Sequence, residues 1–290
     1  MLNSKGFIEV KKLRGVLALT LTSIIWGSSF PIIKVVIADV SEYAYTWIRS
    51  LIAVMGLTPY VVYLYLRGYS LKSMSRGGLL AGIAYSLGLW LQGWGTKYTT
   101  ASNSAFITGL NVLFVHLYTA VKKKCYSSKL GLSLFLSIAG LYLLTVPNFG
   151  PNVGDFLVLL GSIMWGIQVI LVSTYSYGNP FVFTFFEMMP ALFFIIPDVL
   201  EGGIEPLDAK SLKGIVYLAL ICGDIAFTLQ VYGQRFISSA VAAIILLLEP
   251  VAAATFAFLI LGEVMSSLQI IGAILIMLAM FLVSSDEDYR

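Results

Sequence analysis

Charge is scarce in this sequence. Aspartate, glutamate, lysine and arginine make up 11% of its 290 residues, less than half their share in an ordinary soluble domain. A chain so short of charge, 59% hydrophobic and with a mean hydropathy of +0.91, cannot hide its apolar surface inside one water-facing globule. Cysteine is nearly absent too: Cys125 falls in a basic stretch and Cys222 inside an apolar one, which suggests no disulfide framework. No G-x-x-x-x-G-K-[ST] loop occurs, so the chain carries no ATPase of its own. With a single histidine and no G-x-S-x-G elbow, hydrolase chemistry has little to work with. No cofactor or metal is expected.

What fills the sequence is long apolar runs, each close to the roughly 20 residues that cross a bilayer as a helix. Ten can be drawn: Leu13 to Ile33, Tyr43 to Leu66, Gly77 to Trp94, Ala101 to Val121, Leu130 to Val146, Phe156 to Val172, Pro180 to Leu200, Leu212 to Val231, Ser239 to Leu261 and Leu268 to Val283. The first follows Lys5, Lys11, Lys12 and Arg14. It is too long for a signal peptide and lacks a small-residue cleavage site, so it reads as a retained helix.

Placing both termini in the cytoplasm assigns thirteen Lys and Arg to that side, among them Arg67, Lys72, Arg76, Lys122, Lys123, Lys124, Lys129, Arg235 and Arg290. The other side receives Lys97, Lys210 and Lys213. That imbalance fits ten spans in a plasma membrane with an inside N-terminus. The basic residues then mark topology, and nucleic-acid binding is not indicated.

The halves repeat. "SIIWG" at Ser23 to Gly27 returns as "SIMWG" at Ser162 to Gly166, 139 residues on. At an offset of 138, Arg49 lies over Glu187, Pro59 over Pro197, Gln92 over Gln230 and Asn111 over Glu249. Residues 1–147 and 148–290 thus read as two five-helix repeats. Because five is odd, the second enters the membrane from the opposite side, and such inverted repeats are a mark of secondary transporters. The fold expected is an all-α integral membrane protein of ten transmembrane helices.

"SIIWGSSFPIIK" from Ser23, its echo in the sixth span, and "LLEPVAAATFAFLILGEVMSSLQIIGAILIMLAM" from Leu247 to Met280 resemble the EamA family of the drug/metabolite transporter superfamily. The likeness covers essentially the whole chain, and its last stretch, with the E-P and G-E pairs, is the most specific. It implies a ten-helix carrier with a cavity between its halves, often an exporter of amino acids or other small metabolites. The first half departs from the pattern, with Asn111-Val112 and Lys124-Cys125 where the second has Glu249-Pro250 and Gly262-Glu263.

Ionisable residues within the spans are few: Arg49, His116, Glu187, Asp224 and Glu249. Each marks a functional site or a structural partner. Glu249 lies near mid-depth, and Pro250 brings no N–H, which would leave the Leu246 carbonyl without its helical partner. The pair makes a polar notch suited to an ammonium group or a proton; alternatively Glu249 is a hydrogen-bonded structural acid and Pro250 only bends the helix. Asn111 would face Glu249 across the repeat axis. Asp224, Gln92 and Gln230 line or brace a cavity. Trp26 and Trp165, with Ser28, Ser29 and Gln168 close by, either wall a pocket or form packing joints at Gly27 and Gly166. Inversion places Arg49 and Glu187 toward opposite sides, where each would gate its own. Gly78, Gly82 and Ser86 read as a small-residue helix contact, His116 as a packing residue, and Lys34 as snorkelling to the interface.

Three functions compete. The first is a secondary carrier, an exporter as the resemblance implies, moving an amino acid, amine or similar zwitterionic or neutral small molecule, with or without protons. A nucleotide-sugar or phosphate-ester antiporter would call for several intramembrane cations, and only Arg49 is clearly inside. An intramembrane aspartyl protease would need a second mid-span aspartate beside Asp224 in "CGD", and none is present. A permanently open channel would need a continuous polar stripe, which the sequence lacks. The solute, the coupling ion, the direction and the oligomeric state are not written in the residues.

Overall fold

The computed structural model describes residues 4–123, 127–145, 152–203, 206–262 and 266–284. Lys124, Cys125, Glu263 and Arg290 lie outside the described residues. The first half contains α1 (Ser4–Val36), α2 (Glu42–Leu66), α3 (Lys72–Tyr98), α4 (Ala101–Gly109), α5 (Asn111–Lys123) and α6 (Ser128–Thr145). The second contains α7 (Val153–Tyr175), α8 (Pro180–Met188), α9 (Ile195–Leu200), α10 (Ala209–Ala219), α11 (Ala226–Gly233), α12 (Ser239–Leu246), α13 (Leu248–Leu261) and α14 (Ser267–Ser284). No strand occurs among the described residues.

Polar caps fix where the helices start. Ser41, Thr100, Asn152, Asp208 and Ser238 each accept a hydrogen bond from the backbone N–H three residues on, which satisfies one of the N–H groups a helix leaves unpaired. Thr100 and Ser238 are repeat equivalents. Several of these helices join into longer rods: α4 and α5 continue across Leu110, and α12 and α13 across Leu247. A 3₁₀ stretch (Met189–Phe194), begun at Pro190, links α8 to α9, and a π-helical stretch (Leu220–Ile225) links α10 to α11.

Seven stretches of the described residues are long and apolar enough to cross a membrane: 9–36, 42–66, 101–122, 153–175, 180–200, 209–233 and 239–260. Two shorter apolar helices cover Ser128–Leu143 and Ser267–Ala279. The third expected span, in α3, is long enough but is not among the seven; its six glycines and its serines dilute the apolar run because this helix is packed for contact.

The surface is inverted relative to a soluble protein. Along α1, Leu13, Leu17, Leu21 and Ile24 point outward at the three-to-four spacing of one helix face. Other faces bury Thr22, Ser23 and Ser29. Apolar surroundings outside remove the usual hydrophobic drive between helices, so close packing and hydrogen bonds must hold them. Glycine makes the packing close: a Cβ on Gly27 would stand 2.4 Å from the Ala252 Cβ, and one on Gly82 would stand 2.4 Å from the Glu187 carbonyl oxygen.

Contacts between halves exchange symmetrically. The third rod of the first half, α3, packs along α7, the first of the second half; reciprocally, α11 packs along α1. Likewise α13 packs on α1 as α4 and α5 pack on α7, and α6 pairs with α14. The site lies where these crossed pairs meet.

Candidate functional site

The fourth rod of each half breaks at the same place. Leu110 N–H reaches back to the Ile107 carbonyl at 3.1 Å, and Leu247 N–H to the Ile244 carbonyl at 3.1 Å, one tight i to i−3 turn in each rod. A new half-helix then begins, with Asn111 as the first residue of α5 and Glu249 as the second of α13. Here the placement of an acid and a proline inside an apolar rod becomes intelligible. The first N–H groups of a helix have no partner within it, so Pro250 at the third position of α13 forfeits none. The positive end of the half-helix dipole favours the Glu249 carboxyl beside it.

Both residues face one central cavity, of 30 Å³, room for about two waters. Trp26, Ser29, Arg49, Gln92, Thr108, Asn111, Trp165, Gln168 and Glu249 line it, with Leu89, Val169, Phe227 and Leu246. Three of its polar groups keep an unspent atom. Asn111 Oδ1, Trp165 Nε1 and Arg49 Nε are buried without a hydrogen-bond partner, although buried polar atoms ordinarily find one. The Arg49 Nη1 donates to the Tyr45 hydroxyl at 2.6 Å, and Gln92 Nε2 donates to the Thr108 hydroxyl at 2.9 Å. Acceptors (Glu249, Asn111) and donors (Arg49, Trp165) thus line one small space with aromatic walls.

Three residues of the sequence reading stand behind or away from the cavity wall. Gln168 Nε2 donates to Glu187 Oε1 at 2.6 Å and to Gln230 Oε1 at 3.0 Å, and Gln230 Nε2 returns a bond to Gln168 Oε1 at 3.0 Å. Gln230 and Glu187 are fully buried and reach the cavity only through Gln168. Asp224 is on the π-helical stretch, against Gly56 of α2. Arg49 and Glu187 do not pair.

α1 also reaches the irregular helices. Trp26 Nε1 donates to the Cys222 carbonyl in the π-helical stretch (3.0 Å), and the hydroxyls of Ser23 and Thr22, each 2.9 Å from a carbonyl of their own helix, also lie 3.3 Å from the Ile245 carbonyl at the α12 break and 3.2 Å from the Ala226 carbonyl. The two ends are clamped as well. Lys34 Nζ donates to the carbonyls of Thr96 (2.9 Å), Lys97 (3.1 Å) and Thr99 (2.7 Å) at the C-terminus of α3, so it caps a helix where snorkelling was expected. At the other end Arg235 donates to the Ser176 carbonyl at 2.6 Å and to the Gly178 carbonyl, beyond the C-terminus of α7.

Two successive stretches, residues 13–146 and 152–285, each match the EamA-like transporter family. The chain belongs to that family. The two matches give the chain a two-repeat architecture. Among related proteins, one uncharacterized transporter of Archaeoglobus fulgidus is 31% identical over 96% of this chain and 88% of its own length. A second from the same organism is 27% identical over 93% of this chain and 97% of its own. A crystal structure superposes with a TM-score of 0.72 over 92% of this chain and 96% of that one, at 15% identity; that likeness speaks for the fold alone.

Within this EamA-family chain, the cavity residues absent from the sequence reading are Leu89, Thr108, Val169 and Phe227, while Leu246, read there for its carbonyl alone, also lines the cavity. Thr108 carried a signal, being three residues before Asn111 and so on the same helix face. The apolar three carried none, since every face of these rods is apolar.

Proposed function

We propose that the chain is a secondary carrier moving a small zwitterionic or neutral metabolite, such as an amino acid or amine, outward across the plasma membrane by alternating access. The observation that carries this reading is the convergence of Glu249, Asn111, Arg49 and Trp165 on one cavity where half-helices of both repeats begin. Glu249 takes an ammonium group or a proton, Arg49 and Trp165 donate to an anionic or carbonyl oxygen, Asn111 and Gln92 orient the polar part, and Trp26 and Trp165 pack the rest. Gln168, braced by Glu187 and Gln230, holds the cavity wall. A single buried guanidinium is poorly matched to a nucleotide-sugar or phosphate ester, whose charges call for several cations.

The two halves act as inverted five-helix repeats with both termini in the cytoplasm. The symmetric exchange of contacts supports this, because such a pair of halves can swap conformations about a fixed site. A cavity of 30 Å³ has no room for an amino acid, so it must widen to admit one, and Lys34 and Arg235 hold opposite ends of the bundle. The test is uptake into proteoliposomes from a mixed labelled pool of amino acids, amines, nucleosides and sugars, with and without an imposed pH gradient. Accumulation of a zwitterion or amine only with the gradient supports the reading; uptake of none of the pool refutes it.

A further inference from the structure

Asp224 has no place in the cavity, yet it is the most unusual carboxyl of the bundle. It is the fifth residue of the six-residue π-helical stretch (Leu220–Ile225), a rare geometry that recurs at functional sites. The rod it belongs to runs over Ala209–Gly233, which puts Asp224 within about 5 Å of its middle at 1.5 Å per residue. Its Oδ2 fills the notch left by Gly56, where a Cβ would stand 2.5 Å away. The surroundings face outward: Gly56 is exposed, Met55 is 64% exposed and Ile225 46%. Asp224 Oδ1 is buried with no hydrogen-bond partner.

Among the described residues no charged side chain answers it. On α2, Arg49 bonds to Tyr45; on α8, Glu187 bonds to Gln168; on α10, Tyr217 bonds to Ser28 of α1 at 2.7 Å. Cys222, on the same π-helical stretch, turns its thiol to the Ile25 carbonyl of α1. An ionised carboxyl facing hydrocarbon is costly, and a bound proton removes the charge. The inner face of the same stretch tells the other half of the story, because its Cys222 carbonyl is the acceptor for Trp26 Nε1 in the cavity wall.

We propose that Asp224 is a proton-carrying site on the lipid side of the bundle, separate from the solute cavity and coupled to it through the π-helical stretch and Trp26. Loss of the proton draws Asp224 toward water, shifts the stretch and changes the hydrogen bond that holds Trp26. This builds on the carrier reading, but its test uses no solute and so stands or falls apart from it.

The experiment treats the full-length protein in lipid vesicles with dicyclohexylcarbodiimide, which attacks protonated carboxyls in apolar surroundings. The acid O–H adds across one C=N bond, oxygen to the central carbon and proton to nitrogen, and the resulting O-acylisourea rearranges to an N-acylurea of the same mass. One adduct is expected, mapped to the peptide containing Asp224, declining as pH rises, absent in Asp224→Asn and kept in Glu249→Gln. The coupling is read as the pH-dependent part of the tryptophan fluorescence that is lost in Trp26→Phe; it is expected to vanish in Asp224→Asn as well. Labelling that spares Asp224 in the folded wild-type protein, or a Trp26 signal that titrates unchanged in Asp224→Asn, overturns the proposal.

Discussion

Trp26 Nε1 donates to the Cys222 carbonyl at 3.0 Å, whereas the indole nitrogen of Trp165, its repeat counterpart, is buried with no partner. One tryptophan therefore serves the structure of its neighbours and the other presents a free donor to the cavity. Trp26→Phe leaves the Cys222 carbonyl unpaired and is expected to destabilise the protein by about 1–3 kcal/mol beyond the packing loss. Trp165→Phe loses packing but no hydrogen bond, so its larger effect is expected on solute affinity. Thermal unfolding of the two variants in detergent, beside solute binding, separates these outcomes; equal destabilisation would argue against the assignment.

Glu249→Gln keeps the shape of the half-helix start and removes the ionisable group. Gradient-driven accumulation is expected to fall to the level of empty vesicles while the variant elutes and melts like the wild type. Full retention of that transport would remove Glu249 from the proposed role.

Gly82 lets α3 rest on the backbone of α8 beside Glu187. Gly82→Ala introduces a Cβ 2.4 Å from the Glu187 carbonyl oxygen and is expected to cost about 1–3 kcal/mol through overpacking. Gly161→Ala, where the nearest atom would be 3.3 Å away, is the comparison and should be tolerated better in the same melting assay.

Lys34 closes one end of the bundle by holding three carbonyls at the end of α3. A cation at a helix C-terminus is worth about 0.3–1 kcal/mol, so Lys34→Met is expected to lower stability by no more than that. Its clearer effect is on access: a cysteine in the cavity should react faster from the Lys34 end in this variant, and at an unchanged rate from the Arg235 end.

Much of this arrangement was legible in the residues. The offset of 138 set Asn111 over Glu249, and the structure puts both at half-helix starts on one cavity. What was hidden is instructive. Arg49 was expected to gate one side, but seven residues into α2 it turns inward to the cavity, because sequence spacing along a rod gives depth and not facing. Gln230 was expected to line or brace the cavity and Glu187 to gate one side, yet the side chain of Gln168 bonds both and stands between them and the cavity. The π-helical stretch had no sequence signal, since a single Gly223 does not mark one; it is supported by Trp26 of a distant helix, whose indole N–H donates to the Cys222 carbonyl.

The central claim is that the cavity between the repeats opens in turn to each side. Thr108 lines it and is buried, and Thr108→Cys in a Cys125→Ser, Cys222→Ser background places one thiol there. Reaction of that thiol with a membrane-impermeant maleimide, applied to one face of oriented vesicles at a time, is the most direct measurement. Modification from either face, at different rates, is the expected result; modification from one face only, or from neither, would contradict alternating access to this site.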